Sequence, residues 1–396
     1  MFPSRSVDRL RGRFGSTTCG PRREDERPMR TTLESMLESA VRTVATVAGA
    51  LPTPLQRALG GRPVRLDGQE LNPEIQLMLR MLALLPDSDF EELPIEKSRA
   101  QIDMEARLVS GRPIPMASVE SLAIPGPAGP VPARMFRPAG LPTSAPLLVY
   151  FHGGGFVLGS LDSHDSLCRF LARNAEVAVL AVDYRLAPEH AFPAAVDDAV
   201  SAFRYAVENA SALGIDPDRV AVAGDSAGGN LAAVVSQVTR NDDRRPAFQM
   251  LFFPWLDMTA KRRSYQLFSD GFFLTEAQMD WYTNHYVPKT EDRSDPQASP
   301  ILTADLTGLP AAYVAISGFD VLRDEGIEYA ERLRAAGVPT TLRVHDDLVH
   351  AFVNLTGYGR AGVDALREAA GALRVGLSFA PRRASDPGLG AVELAE

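Results

Sequence analysis

A chain of 396 residues, 45% of them apolar, holds enough material for one sizeable core with an appended layer. Its net charge of −9 leaves no basic stripe to meet phosphates, which excludes nucleic acid as a partner. Two cysteines, Cys19 and Cys168, cannot build a disulfide framework and point to a reducing, cytoplasmic compartment.

The first 28 residues carry seven arginines among Gly, Ser, Thr and Pro, without the apolar run of a secretory signal. Arg22 and Arg23 run straight into Glu24, Asp25 and Glu26, which does not suit a twin-arginine signal. Residues 1–29 are expected to be a disordered extension, and Met29, just before a good helix start, offers an alternative translation start. Thr31 and Glu34 form a T-x-x-E capping box, and Leu33, Met36, Leu37, Ala40, Val41 and Val44 recur at helical spacing, so residues 31–49 predict an amphipathic helix. The nearest thing to a membrane span, Val41 to Leu55, is too short and is interrupted by Arg42, Thr43, Thr46 and Pro52. A second helix starts with Asn72 as cap and Pro73 in first position and runs to Pro86; it is apolar nearly all round and must be covered on most sides.

From Val119 the pattern changes to short β-like runs, Val119 to Ile124 and Val131 to Phe136, punctuated by Pro and Gly. Leu147 to Phe151 (LLVYF) is a buried strand, followed by a helix over 163–174, a strand over Val177 to Val182 and a helix from Ala194 to Asn209. Val220 to Ala223 reads as the next strand, Asn230 to Val238 as helix, and residues 249–253 as strand again. Residues 257–295 break this alternation with Tyr265, Phe268, Phe272, Phe273, Trp281, Tyr282 and Tyr286, more rings than a solvated loop carries. Strands resume at Ala312 to Ser317 and Thr340 to His345. Strands alternating with helices predict an α/β fold, a parallel sheet covered on both faces.

Two glycine-rich turns carry the chemistry. Gly224, Asp225, Ser226, Ala227 and Gly228 lie between a strand and a helix, the G-x-S-x-G arrangement in which a strained turn lifts a serine hydroxyl clear of the backbone. After LLVYF come His152, Gly153, Gly154 and Gly155, whose uncovered N–H groups suit an oxyanion. Neither GxxxxGK[ST] nor GxGxxG is present in that loop, so it is no phosphate cradle. The chain order Ser226, Asp320, His350 is that of nucleophile, acid and base in a hydrolase sheet, with the last two just beyond strand ends. Asp324 and Glu325 stand near Asp320 as rival acids, whereas Asp346 and Asp347 are too close in sequence to the histidine. Of the histidines, His345 falls inside a strand and His152 in the glycine loop, and His164, His190 and His285 have better structural readings; only His350 combines a loop position with the chain order.

Together the HGGG and GDSAG motifs, Asp183 to His190 (DYRLAPEH) and Phe253 to Asp257 (FPWLD) make this chain resemble the hormone-sensitive-lipase family of bacterial α/β-hydrolases, over about residues 146–352. The resemblance implies an α/β-hydrolase fold with a helical cap over 30–112, core over 113–256 and 296–380, a cap insertion over 257–295 and a flexible tail over 381–396. It also implies that the acid is Asp320, first aspartate of D-x-L-R-D-E-G, and that Leu and Met side chains of the cap line an acyl pocket. The expected activity is a serine carboxylesterase on short- to medium-chain acyl esters, with no metal or cofactor, and with Gly154, Gly155 and Ala227 as oxyanion donors. The amidase or deacetylase reading uses identical residues, and a non-catalytic receptor on this fold would have lost the histidine, which is present. Dimers are frequent in such folds, with no residue here to name for one. The family commonly has H-G-F at the base; here the residues are His350, Ala351 and Phe352, a departure of one methyl beside the imidazole.

Overall fold

The computed structural model describes residues 32–83 and 90–379; the 1–29 extension, Thr31 of the capping box, Pro86 and the tail from 381 lie outside the described residues. Helix α1 (Thr32–Gly49) is followed by α2 (Thr53–Gly60), a two-stranded hairpin of β1 (Arg65–Leu66) and β2 (Gln69–Glu70), and α3 (Pro73–Leu82). The start of α3 follows from its sequence: Asn72 Oδ1 accepts the Glu74 N–H at 3.1 Å, and Pro73 fills the first position, where no amide hydrogen is needed. Ile75, Leu77 and Met78 of α3 are buried, while Leu82 stays 42% exposed, so the covering expected on most sides is incomplete. Leu77 and Met81 line, with Val44, Val47, Leu51 and Leu59, a surface groove that contains no residue of the two glycine-rich turns. The sequence reading missed α2, the hairpin and α4 (Ile95–Val109).

An eight-stranded sheet forms the centre. Its strands in chain order are β3 (Ser118–Gly126), β4 (Gly129–Arg137), β5 (Ala145–Phe151), β6 (Ala178–Val182), β7 (Ile215–Asp225), β8 (Phe248–Phe252), β9 (Ala311–Phe319) and β10 (Thr340–Val349). The spatial order is β10-β9-β8-β7-β5-β6-β4-β3, parallel from β10 to β6 and antiparallel at the β4 and β3 edge. Leu147 to Phe151 are fully buried because helices cover both faces, which is why this strand reads as an unbroken apolar run. On one face α5 (Asp165–Ala175) packs against α11 (Ala361–Ser378); on the other α6 (Ala194–Glu208) packs against α7 (Ala227–Val238), and α10 (Arg323–Ala335) lies on β9 and β10.

Chain order reverses beside β5. The chain leaves β5 for β6 on one side and returns to β7 on the other, so the segments after β5 and β7 meet at a switch point, where an open α/β sheet leaves a crevice. Between β8 and β9 lie α8 (Arg263–Leu267) and α9 (Glu276–Tyr286). The rings of this segment find partners on two sides: Phe268 and Phe272 pack on Phe319 at the end of β9, and Trp281 and Tyr282 pack on Phe90. Phe273 remains 44% exposed.

Leu148 sits in the middle of this packing with no exposed surface. Leu148→Ala is expected to cost about 3 kcal/mol of unfolding free energy, read as a lowered urea midpoint at unchanged slope.

Candidate active site

Ser226 stands between β7 and α7 with φ +55° and ψ −116°, a conformation that costs a side-chain-bearing residue on the order of 1–3 kcal/mol. Backbone bonds hold it there: its N–H donates to Phe252 O at 2.9 Å, and its carbonyl accepts from Asn230 N and Trp255 N at 3.0 and 3.1 Å. The flanking glycines are required by crowding. A Cβ on Gly224 would strike Gly228 and the Phe151 carbonyl, and one on Gly228 would strike the same carbonyl.

His350 follows the last residue of β10, and its Nδ1 lies 2.7 Å from Oδ2 of Asp320, which follows β9. The other Asp320 oxygen accepts the Leu322 N–H at 2.9 Å, so the carboxylate is fully engaged and buried. Strand β10 is longer than its sequence suggested, reaching Val349 through a register irregularity after His345. Phe253 links the two halves of the site, its ring 4.6 Å from that of His350 while the neighbouring Phe252 carbonyl takes the Ser226 N–H. Ser226 Oγ and His350 Nε2 have no hydrogen-bond partner among the described residues. Ala351 adopts φ +63°, the left-handed region in which glycine is freer, so the methyl noted in the sequence sits on a turn that strains it.

The glycine loop is shaped by what surrounds it. Gly154 and Gly155 have φ of +115° and +60°, and the N–H of neither is taken by an acceptor among the described residues. The ring of Tyr282 from α9 occupies the space where a Gly155 side chain would stand. Gly153 is pinned instead, its N–H donating to Asp225 Oδ1 at 3.0 Å. Asp225 also accepts from Tyr150 Oη at 2.6 Å and lies 3.2 Å from His164 Nε2. Burial pulls this carboxyl upward, but the His164 ring and the Tyr150 hydroxyl outweigh it and hold Asp225 below the ordinary carboxylate range. Its place in the motif gives no sign of this reach to the glycine loop.

His152 is no base. Burial and the neighbouring His164 push its pKa down to about 4, its ring stacks on Tyr184 at 4.4 Å, and Nδ1 donates to the Gly153 carbonyl at 2.8 Å. His345 packs edge-on to Phe352, and His285 sits on α9 with Nδ1 2.8 Å from Trp281 O. The rival acids are also occupied elsewhere: Asp324 accepts the Ser264 N–H at 2.8 Å, and Glu325 Oε1 accepts from Leu256 N at 2.6 Å and Asp257 N at 3.3 Å. Among the described residues no group of three or more His, Cys, Asp or Glu is arranged to hold a metal ion.

A profile of the α/β-hydrolase fold family matches residues 148–354. Carboxylic ester hydrolase LipN of Mycobacterium tuberculosis (strain ATCC 25618 / H37Rv) is 46% identical over 337 residues, which span 83% of this chain and 89% of that relative. An ethyl acetate hydrolase of Pseudomonas putida is 36% identical over 300 residues, with 72% and 92% of the two chains covered. Among solved structures, the thermostable carboxylesterase EstE1, cloned from a metagenomic library, has a TM-score of 0.70 at 40% identity, over 72% of this chain and 98% of that one.

Glu325 gives the site a measurable pH signature. Burial pushes its carboxyl well above the ordinary 4.5, and Oε2 has no partner among the described residues. Above that value the unfolded chain ionises while the fold keeps the proton, so this group costs stability as pH rises. Glu325→Gln keeps the acceptor oxygen and removes the proton, so the melting temperature of the variant relative to the unmodified protein is expected to climb from pH 5 to pH 8. Parallel curves would show that Glu325 is ionised in the fold.

Proposed function

The chain belongs to the α/β-hydrolase fold family and is a carboxylic ester hydrolase, and we propose that it cleaves short- to medium-chain acyl esters with Ser226 as nucleophile, His350 as base and Asp320 as the residue that orients it. The observation that carries this assignment is the 2.7 Å contact between His350 Nδ1 and Asp320 Oδ2, made at the strand ends of the sheet that also presents Ser226 at positive φ. With Nδ1 facing the carboxylate, Nε2 is left bare to accept the Ser226 proton as Oγ attacks the ester carbonyl. Asp320 fixes that tautomer and stabilises the imidazolium that follows. Hydrogen bonds of this kind tighten when substrate fills the site, so an unpartnered Ser226 Oγ fits this role.

The tetrahedral oxyanion is met by the N–H groups of Gly154, Gly155 and Ala227. Losing one such donor typically costs about 2.7–4 kcal/mol of transition-state stabilisation. Collapse expels the alcohol, protonated by His350, and water repeats the attack on the acyl-enzyme with the same base. Asp225 supports this chemistry from outside it, since its bond to Gly153 N fixes the loop that presents the donors. A cytoplasmic site of action accords with the buried, unpaired Cys168, and among the described residues no helix is long and apolar enough to cross a membrane.

The test is turnover of p-nitrophenyl esters from acetate to palmitate. Ser226→Ala is expected to lower kcat/KM by at least on the order of 10⁴-fold with its circular dichroism unchanged, and the rate is expected to peak at short to medium chains. An optimum at palmitate would reject the chain-length assignment, and a Ser226→Ala variant with undiminished rate would reject the nucleophile.

A further inference from the structure

We propose that Gln69 and Asn72, from the hairpin-to-α3 segment far from β9 and β10 in sequence, are positioning residues that clip together the two strand ends presenting Asp320 and His350; this rests on the Ser226–His350–Asp320 reading above. Gln69 Nε2 donates to the Gly318 carbonyl at 2.6 Å, two residues before Asp320. Asn72 grips Asp347 twice, three residues before His350: its backbone N–H donates to the Asp347 carbonyl at 2.9 Å and its Nδ2 to Oδ2 at 2.7 Å. From the turn of the same hairpin, Asp67 forms ion pairs with Arg323, three residues after Asp320, at 2.9 Å and with Arg263 at 2.8 Å.

The grip falls where the sheet itself is weakest. Strand β10 is the edge of the sheet, with no strand paired on its outer side among the described residues, and its pairing to β9 breaks between His345 and Val349. Regular bonding resumes only at the Val349–Phe319 pair, one residue before each catalytic side chain. Within the break, the backbone of Asp346 sits so close to Gly318 that a Cβ there would strike it. The Asp347 carbonyl, inside that irregular stretch, accepts from the Asn72 N–H. One short segment therefore fixes the spacing of acid and base across a bulged edge. Misplacement of reacting groups by about 1 Å costs on the order of 100-fold in rate, so a clip at this point acts on chemistry rather than on affinity.

Asn72 also caps α3 through Oδ1, and the two roles separate by substitution. Asn72→Ser keeps a capping oxygen and loses the Nδ2 donor; Gln69→Ala removes the bond to Gly318 alone. The experiment measures kcat and KM on p-nitrophenyl butyrate, melting temperature, and both the rate and the final stoichiometry of Ser226 labelling by a fluorophosphonate. The Gln69→Ala/Asn72→Ser double variant is expected to label to full stoichiometry at a rate lowered about tenfold to a hundredfold. Its kcat is expected to fall equally, with KM within twofold and the melting temperature within a few degrees. Unchanged labelling rate and kcat overturn the clip, as does a loss confined to the labelled fraction or to melting temperature, which is a purely structural role. Should the double variant not fold, Gln69→Ala alone carries the same readouts. Failure of the unmodified protein to turn over ester or to label at Ser226 would overturn the esterase reading instead, so the two failures are distinct.

Discussion

The structure depends on the crowding of three backbones at the carboxyl ends of β5 and β7. Gly224, Gly228 and the Phe151 carbonyl meet so closely that no side chain fits between them, and Ser226 occupies the strained turn between the two glycines. Everything chemical is arranged about that point. The switch in strand order puts the glycine loop after β5 beside the serine after β7, and Asp225, one residue before the serine, bonds back to Gly153. Strain of a few kcal/mol at one residue is sustained because the N–H and the carbonyl of Ser226 itself are both used.

Buried polar groups divide here by what they hold. Asp225 is ionised and satisfied by a hydroxyl, an amide and an imidazole, and it orders the loop of donors. Glu325, its carboxyl pushed upward by burial, receives two amides of the segment after β8, next to Trp255, whose own N–H returns to Ser226. The carboxylate of Asp320 alone is spent on the histidine. The three acids thus have three separate environments, and of them only Asp320 reaches His350.

Much of this was legible in the sequence where the determinant is local. Ser226 and the run His152 to Gly155 announce themselves because tight turns need glycine at fixed offsets, and buried parallel strands are apolar without interruption. Asn72 and Pro73 likewise mark the start of α3 correctly. The segment 53–70 and helix α4 were missed because their stability comes from polar contacts with distant residues: Arg99 of α4, for example, is held by the carbonyls of Val157 and Ala187 and by Glu189. No periodicity records such a partner. The extent of β10 was underread for a related reason, since a bulge disturbs the alternation by which a strand is recognised. The role of Asp225 was invisible because a side chain beside the nucleophile gives no sign, in one dimension, of the loop it will reach.

The bonds from Gln69 to Gly318 and from Asn72 to Asp347 join residues 249 and 275 positions apart. During synthesis the amino-terminal partners emerge first and wait for nearly the whole sheet to be made. Loop-closure entropy over such spans is recovered only when the other strands have already docked. The two contacts therefore close late, and a nascent chain halted before residue 347 holds the hairpin and α3 with the Asn72 anchorage still unmade.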